Sequence, residues 1–439
     1  MFSIIITAHN SEKYIQETLD NILNATKNIK KEIIVVDDGS NDNTLFLLKN
    51  YRNIKLICQN NMGVSAARNK GLKNISEQSQ LITFIDDSDW VSNNFFSESI
   101  TFFKKYKNIQ IAISPITIFE NKNEREHFLN YRFNDYKEIV NIFSDYNYIH
   151  FHIGGVIFKS ELFRFIDKPF DENLSFWEDA KLINNLLLHT QKYGLVHNSR
   201  YYYNRDDYNS LSKSSWKDEE RYNYHIINNF FSLINESSKI YGKVIKYIQY
   251  VVIIHYLQFL LSHNFKFINI DYMLKEQIFL NLSQKLLSYI DIETIDELNI
   301  EKRYKYFLYN LKNVRNDNEL ENIKVYIHKF NFLKRTIIFS FSEESFNLNN
   351  DSKVYIKSKK TYKDAKFVKK EKKDMLYFFS DDFSGNFYFL KLSLKELFCK
   401  NLFIIKDYKN NKVINIFSNS VFKRVFKRVF KRVFNRMKF

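Results

Sequence analysis

Four short stretches hold residue types that do chemistry when they are brought together. They are Thr7-Ala8-His9-Asn10, Asp37-Asp38-Gly39-Ser40, Asn61-Met62-Gly63 with Arg68 and Lys70 just beyond, and Asp86-Asp87-Ser88-Asp89-Trp90. Taken singly, each has a plain explanation. Asp-Asp-Gly-Ser is ordinarily a turn and helix cap, and an isolated acidic run is ordinarily a solvated loop. Taken together they describe a site. Several carboxylates on one short loop suit a hard divalent cation with oxygen ligands, Mn²⁺ or Mg²⁺, which keeps positions open for phosphate. Arg68 and Lys70 add positive charge for a diphosphate, and Asp38 is an acceptor suited to a base or a ribose hydroxyl. The composite is a nucleotide-diphosphate site with a metal. Neither a G-x-x-x-x-G-K-[ST] loop nor a G-x-G-x-x-G loop occurs, which disfavours P-loop NTPases and ordinary dinucleotide enzymes.

A parallel sheet is what positions these stretches. Apolar, β-branched runs at residues 3–7, 32–36, 54–58 and 81–85 predict four strands, and helical patterns over 12–28, 44–51 and 64–74 fall between them. Strand and helix alternating at this spacing predict helices on both faces of a parallel sheet. Ligands of such sheets bind at the carboxyl ends of the strands. Each of the four polar stretches follows a strand at that edge.

Read in order, SIIITAHNSEKYIQETLDNIL, EIIVVDDGSNDNT, NMGVSAARNKGL and LITFIDDSDWV resemble the family 2 glycosyltransferases of the GT-A fold. The resemblance is specific over residues 1–120 and looser to residue 215, through FWEDAKL and YYYNRDDYNSLS. It implies an α/β, Rossmann-like nucleotide-sugar domain that transfers a sugar from a nucleotide diphosphate, commonly UDP, to an acceptor hydroxyl with inversion. By motif, Ala8 and His9 line the nucleotide pocket, Asp38 bonds the base, and Arg68 approaches the base or diphosphate. Asp86, Asp87 and Asp89 belong to the D-x-D segment that holds ribose and metal. Many relatives carry D-S-D-D or D-D-D-D here; in Asp86-Asp87-Ser88-Asp89, the pair Asp87 and Asp89 restores a literal D-x-D and is the expected metal-ligand set.

Trp177-Glu178-Asp179 resembles the family's E-D segment, whose Asp is the catalytic base. Inversion needs one carboxylate on the acceptor side to take the hydroxyl proton, with cations stabilising the departing diphosphate on the other. Asp179 also opens an apolar helical run, where an acid is favoured by the helix dipole alone; the upstream motifs favour the base role, with Glu178 as its substitute. The His150-x-His152 pair is expected on one strand face, where it could bind zinc, although no third ligand is apparent, or contact the acceptor; the resemblance makes Gly154-Gly155 a wall of the acceptor side. Arg205 with Ser210 and Ser212 resembles a loop that closes over the diphosphate; a surface loop is the equal alternative.

The remaining chain carries no chemical motif. Helical spacing over residues 216–330 predicts a helical region, and short β-rich runs over 331–419 predict a small C-terminal β domain. Residues 420–439 form a basic amphipathic tail. The net charge is +16, and half of it lies in the last nineteen residues, where four V-F-K/N-R repeats place Phe422, Phe426, Phe430 and Phe434 on an apolar stripe. That pattern suits an interfacial helix on anionic lipid; a solvated tail, a partner-docking helix and a nucleic-acid patch are the alternatives, with nucleic acid disfavoured.

Composition bounds the class. At 45% hydrophobic and 26% charged, 439 residues build two or three folded domains and not a disordered chain. The 43 Phe and 29 Tyr rise together with Lys, Asn and Ile, as AT-rich codon usage produces, and carry no functional weight in bulk. Two distant cysteines, Cys58 and Cys399, fit a reducing compartment. The opening MFSIIIT has no basic n-region and reads as a strand, so the Asn-x-Ser/Thr patterns at Asn24 and Asn74 carry nothing. The apolar stretch 244–261 is interrupted by Lys246, Gln249, His255 and Gln258 and reads as a buried helix, not a span. With the resemblance, the expectation is an inverting, metal-dependent glycosyltransferase, hexosyl or N-acetylhexosaminyl. It would be cytoplasmic, peripheral on the inner face of the bacterial membrane, and would extend a surface glycan or lipid-linked glycan. The alternative from another class is a catalytically inactive GT-A module that binds membrane or polyanion.

Overall fold

Seven buried residues in a row, Phe2–Ala8, make β1 the middle of a sheet. A strand apolar on both faces needs cover on both, which the following helices supply. Around β1 run α1 (Ile15–Ala25), β2 (Lys31–Asp38), α2 (Thr44–Leu48), β3 (Lys55–Gln59), α3 (Val64–Leu72) and β4 (Leu81–Asp86). In α1 the buried residues Ile15, Thr18, Leu19, Ile22 and Ala25 recur at helical spacing and form the stripe that meets the sheet. The computed structural model describes residues 1–206, 215–261, 264, 266–312, 325–341, 352–358, 361–371, 385–398, 400–407 and 412–418. The tail 420–439, Ser210, Ser212 and Cys399 lie outside them.

Strands β3, β2, β1 and β4 pair in parallel, in that order. The register sets Ala8 opposite Asp37, Thr7 opposite Asp86 and Asp38 opposite Gln59, so the polar stretches leave the sheet at one edge and one level. After the short β5 (Trp90–Val91) and α4 (Phe95–Lys105), the chain adds β6 (Ile111–Ile113), β7 (Ile116–Glu120), β8 (Asn123–Glu126), β9 (Ile139–Asn141) and β10 (Val156–Lys159). α5 (Glu178–Thr190), β11 (Lys192–Leu195) and β12 (Tyr201–Asn204) complete the sheets. β10 pairs antiparallel with β4 and β6, extending the large sheet through β11 to β9. A second sheet of order β5-β12-β7-β8 holds the exit of the acidic loop against β12.

Two compact units divide the chain: residues 1–259 with 266–294, and residues 260–265 with 295–439. The first therefore includes α6 (Ser232–Tyr241), α7 (Lys246–Leu257), α8 (Ile270–Leu274) and α9 (Ile278–Ser288), which follow a π-helical segment, Ile226–Phe231. α7 is buried along most of its length; among the described residues no helix is long and apolar enough to cross a membrane.

Among its described residues, the second unit contains α10 (Lys302–Leu311) and eight strands in two antiparallel four-stranded sheets. One sheet joins β13 (Tyr326–Asn331), β14 (Thr336–Ser340), β17 (Lys366–Glu371) and β18 (Gly385–Lys391); the other joins β15 (Ser352–Ser358), β16 (Thr361–Asp364), β19 (Asn401–Asp407) and β20 (Lys412–Ser418). Phe339 and Phe403 meet between them at 5.1 Å in a core with Ile337, Ile356 and Ile405. The β-rich character expected of this region is present. β13 begins at Tyr326, inside the stretch to residue 330 expected to be helical; like β16 and β17 it is an edge strand, and an edge needs little apolar content.

Candidate functional site

At the ends of β1 to β4 the loops are laced together by one imidazole. His9 Nδ1 lies 2.8 Å from the Asp38 carbonyl, which only accepts, so Nδ1 carries the proton. Nε2 then accepts from the amides of Asn10 (3.1 Å) and Asn61 (3.3 Å). The backbone N–H of His9 donates to Asp87 Oδ2 at 3.1 Å, joining β1 to the acidic loop where the strand order reverses. Asp38 is buried, and its carboxylate accepts from Gln59 Nε2 and from the backbone N–H groups of Met62 and Gly63 at 2.8 to 2.9 Å. Gly39, at φ 72°, lies so close to the next loop that a Cβ would stand 2.7 Å from the Asn61 nitrogen; glycine is needed there for space as well as for conformation. Ala8 is buried at the end of β1.

Arg68 joins the two halves of the site. It projects from α3, is 4% exposed, and donates through Nη2 to Asp86 Oδ1 (2.9 Å) and through Nη1 to Glu178 Oε1 (2.7 Å), with its guanidinium 5.3 Å from the Phe170 ring. Burial alone would lower its pKa, but Asp86 and Glu178 hold it above the usual value. Burial, and then the charge of Asp179, push Glu178 up; Glu178 serves the arginine, an ion pair spanning 110 residues of chain. Asp179 sits in the first turn of α5 with Oδ1 accepting from the N–H of Ala180 (2.7 Å) and Oδ2 from Ile153 (3.2 Å). Burial raises its carboxyl to about 6, against the opposing pull of Arg68. A carboxylate poised there is suited to taking a proton near neutral pH.

The acidic loop divides its carboxylates. Asp86 faces Arg68 and Asp87 faces His9. Asp89 turns inward: it is fully buried, with Oδ2 accepting from the Tyr201 hydroxyl (2.6 Å) and Oδ1 from the Asn204 N–H (2.8 Å), and burial with the charge of Asp86 pushes its carboxyl well up. Hard oxygen donors for a divalent cation are therefore offered by Asp86 and Asp87, while both Asp89 oxygens are already engaged by protein donors. Among the described residues, the group of three that does bring its ligand atoms within 4.8 Å of one another is elsewhere, Asp218, Glu220 and His225.

The stretch expected to face the acceptor departs from the expected strand. Residues 148–155 form no strand, so His150 and His152 do not share a strand face. His150 is buried; His152 accepts through Nδ1 from the Gly154 N–H, and its ring contacts His127 and Tyr203. Burial lowers all three imidazoles, His152 to about 4, so they are neutral at pH 7. A Cβ on Gly154 would stand 2.4 Å from the Tyr201 ring, so this glycine makes room for a tyrosine. Arg205 follows β12 with Nε 3.9 Å from Glu120. Tyr201, Asn204 and Phe170 join the site over separations of about a hundred residues; Tyr201 and Asn204 lie in the quoted YYYN stretch, but nothing local marks them as partners of Asp89.

The family model of glycosyl transferase family 2 matches residues 3–166, which carry the four strand ends. The chain is 32% identical over 386 residues to the minor teichoic acid biosynthesis protein GgaA of Bacillus subtilis, covering 83% of this chain and 86% of that protein. It is 31% identical to GgaB of the same organism, over 72% of this chain and 35% of that protein. Among solved structures, residues 1–349 of Staphylococcus aureus TarS with UDP superpose with a TM-score of 0.53 at 17% identity, covering 78% of this chain and 97% of that one. Sequence, strand order and the matched relatives agree: the chain belongs to glycosyl transferase family 2 and has its GT-A fold.

Proposed function

We propose that the chain is an inverting transferase moving a hexosyl or N-acetylhexosaminyl group from a UDP-sugar to a hydroxyl of a cell-wall glycan of the teichoic-acid class. The observation that carries this reading is Asp179, with its raised pKa, one residue from the Glu178–Arg68–Asp86 chain of ion pairs. Asp179 takes the acceptor proton as the acceptor oxygen bonds to the anomeric carbon. The bond from that carbon to the donor phosphate breaks, and the electron pair leaves with the diphosphate. One displacement of this kind inverts the centre. Arg68, bridging the carboxylates, holds Asp86 near the ribose and diphosphate, and His9 and Asp38 shape the base pocket by fixing the loops of residues 8–10 and 59–63. Mn²⁺ or Mg²⁺, when bound, supplies positive charge against the diphosphate; Asp86 and Asp87 are the residues that would hold it. The naming of a relative in minor teichoic acid synthesis and the UDP in the TarS crystal support the donor and acceptor classes. The basic tail would hold the enzyme on the inner face of the membrane, where a lipid-linked glycan is extended.

Sugar release from a panel of UDP-sugars, with and without chelator, tests the reading. Asp179→Asn is expected to lower turnover by about 10²–10⁴-fold with UDP affinity retained, and Asp87→Ala to abolish the stimulation by Mn²⁺. Normal turnover by Asp179→Asn, or full activity in excess chelator, overturns the corresponding assignment.

A further inference from the structure

Two unusual backbone features meet immediately before the carboxylates. Trp177, the residue preceding Glu178, has φ 66° and ψ 15°, a left-handed conformation in a bulky side chain that is 5% exposed. L-residues with a Cβ avoid that region, and such strain persists where the surroundings over-determine it. The surroundings here are specific. The Trp177 carbonyl accepts from the Lys181 N–H in the first turn of α5 (3.0 Å) and from Asn229 Nδ2 (2.7 Å). Asn229 is fully buried and lies within Ile226–Phe231, the π-helical segment, a form of helix that recurs at functional sites. The indole is enclosed by Phe230 (4.8 Å), Phe176 (4.8 Å), His255 (5.6 Å) and the Arg221 guanidinium (5.1 Å). Arg221 in turn stacks on Trp216 at 3.5 Å and bonds Ser215, the first described residue after 207–214.

We propose that Trp177 is a positioning residue: its left-handed backbone, held at the carbonyl by Asn229 and at the ring by the aromatic cage and Arg221, sets the angle at which Glu178 reaches Arg68 and Asp179 faces the acceptor. The proposal rests on Asp179 being the base. Without the bend, the chain entering α5 would carry both carboxylates off their present line, and the Arg68 bridge and the proton acceptor would be displaced together.

The test uses the full-length protein and four substitutions, Trp177→Phe, Trp177→Ala, Trp177→Gly and Asn229→Leu, beside Asp179→Asn. Transfer kcat and KM, UDP affinity and melting temperature are measured for each. Trp177→Ala is expected to lower kcat by about 10²-fold, the scale of an ångström-sized misplacement, with UDP affinity unchanged. Trp177→Gly, which loses the ring but adopts positive φ freely, should turn over faster than Trp177→Ala. Trp177→Phe, which keeps a ring in the cage, should stay near the parent enzyme, and Asn229→Leu should fall by about tenfold. A Trp177→Ala kcat within about threefold of the parent, beside an inactive Asp179→Asn, overturns the proposal. So does a fall in melting temperature and UDP affinity in step with kcat. If Trp177→Ala does not fold, Asn229→Leu decides by the same split. An active Asp179→Asn instead removes the base assignment on which the proposal rests.

Discussion

Arg68 decides how negative charge is shared across the site, because its two nitrogens reach two carboxylates that would otherwise repel one another. Replacing it with Ala leaves Glu178 and Asp86 without their cation, and removing one partner of a buried pair costs about 3–5 kcal/mol. Arg68→Ala should melt several degrees lower, whereas Arg68→Lys keeps the charge, loses the fork and should retain more stability than activity. Equal loss of both in the lysine variant would contradict a bridging role. Asp179 gives a pH test with a definite sign. The proposed base role needs the ionised carboxylate, and burial raises this carboxyl to about 6, so kcat/KM should fall as pH drops through about 6, where an ordinary aspartate stays ionised to about 4. Since the folded carboxyl holds its proton more tightly than the unfolded chain does, folding takes up a proton between those values and the group opposes stability at higher pH. Asp179→Asn should therefore gain melting temperature relative to the parent at pH 8 and not at pH 4. No such difference would remove the raised pKa from the account.

Among the elements, β12 does more than complete a sheet. Through Tyr201 and Asn204 it takes both oxygens of Asp89, so the acidic loop and the strand that runs into Arg205 move as one piece. Asp89→Asn turns an amide donor toward one of those two donors and should destabilise the protein by about 1–3 kcal/mol while leaving the Mn²⁺ stoichiometry intact. Loss of Mn²⁺ with an unchanged melting temperature would instead return Asp89 to the metal. The sequence made the four parallel strands and their polar ends legible because a buried strand must be continuously apolar and a site must lie where it stops. It did not reveal that Asp89 faces inward, since Asp87 and Asp89 look alike until Tyr201 arrives from 112 residues away. Nor did it reveal the partner of Arg68, for the same reason. The two histidines misled because a two-residue spacing implies a shared face only inside a strand, and none forms there. Helical spacing likewise announced a helical region without giving the bounds of α6 to α9 or saying which core they join.

At the scale of the whole molecule, the last nineteen residues offer eight Lys and Arg to an anionic surface, each contributing about 1 kcal/mol near it. Deleting them should release the protein from anionic vesicles while sparing transfer to a small acceptor. Changing Phe422, Phe426, Phe430 and Phe434 to Ser should weaken the part of binding that salt does not screen; unchanged binding would leave charge alone as the attraction. The ion pair of Arg68 with Glu178 and the anchoring of Asp89 by Asn204 span 110 and 115 positions of chain, and loop closure of that length is paid for late in folding. Arg68 and Asp86, only 18 positions apart, leave the ribosome well before Glu178 and Asn204, the partners that come from far along the chain. In order of synthesis, the residues of the proposed nucleotide side thus precede the proposed base, and a chain cut short before residue 178 would lack both Asp179 and the second partner of Arg68.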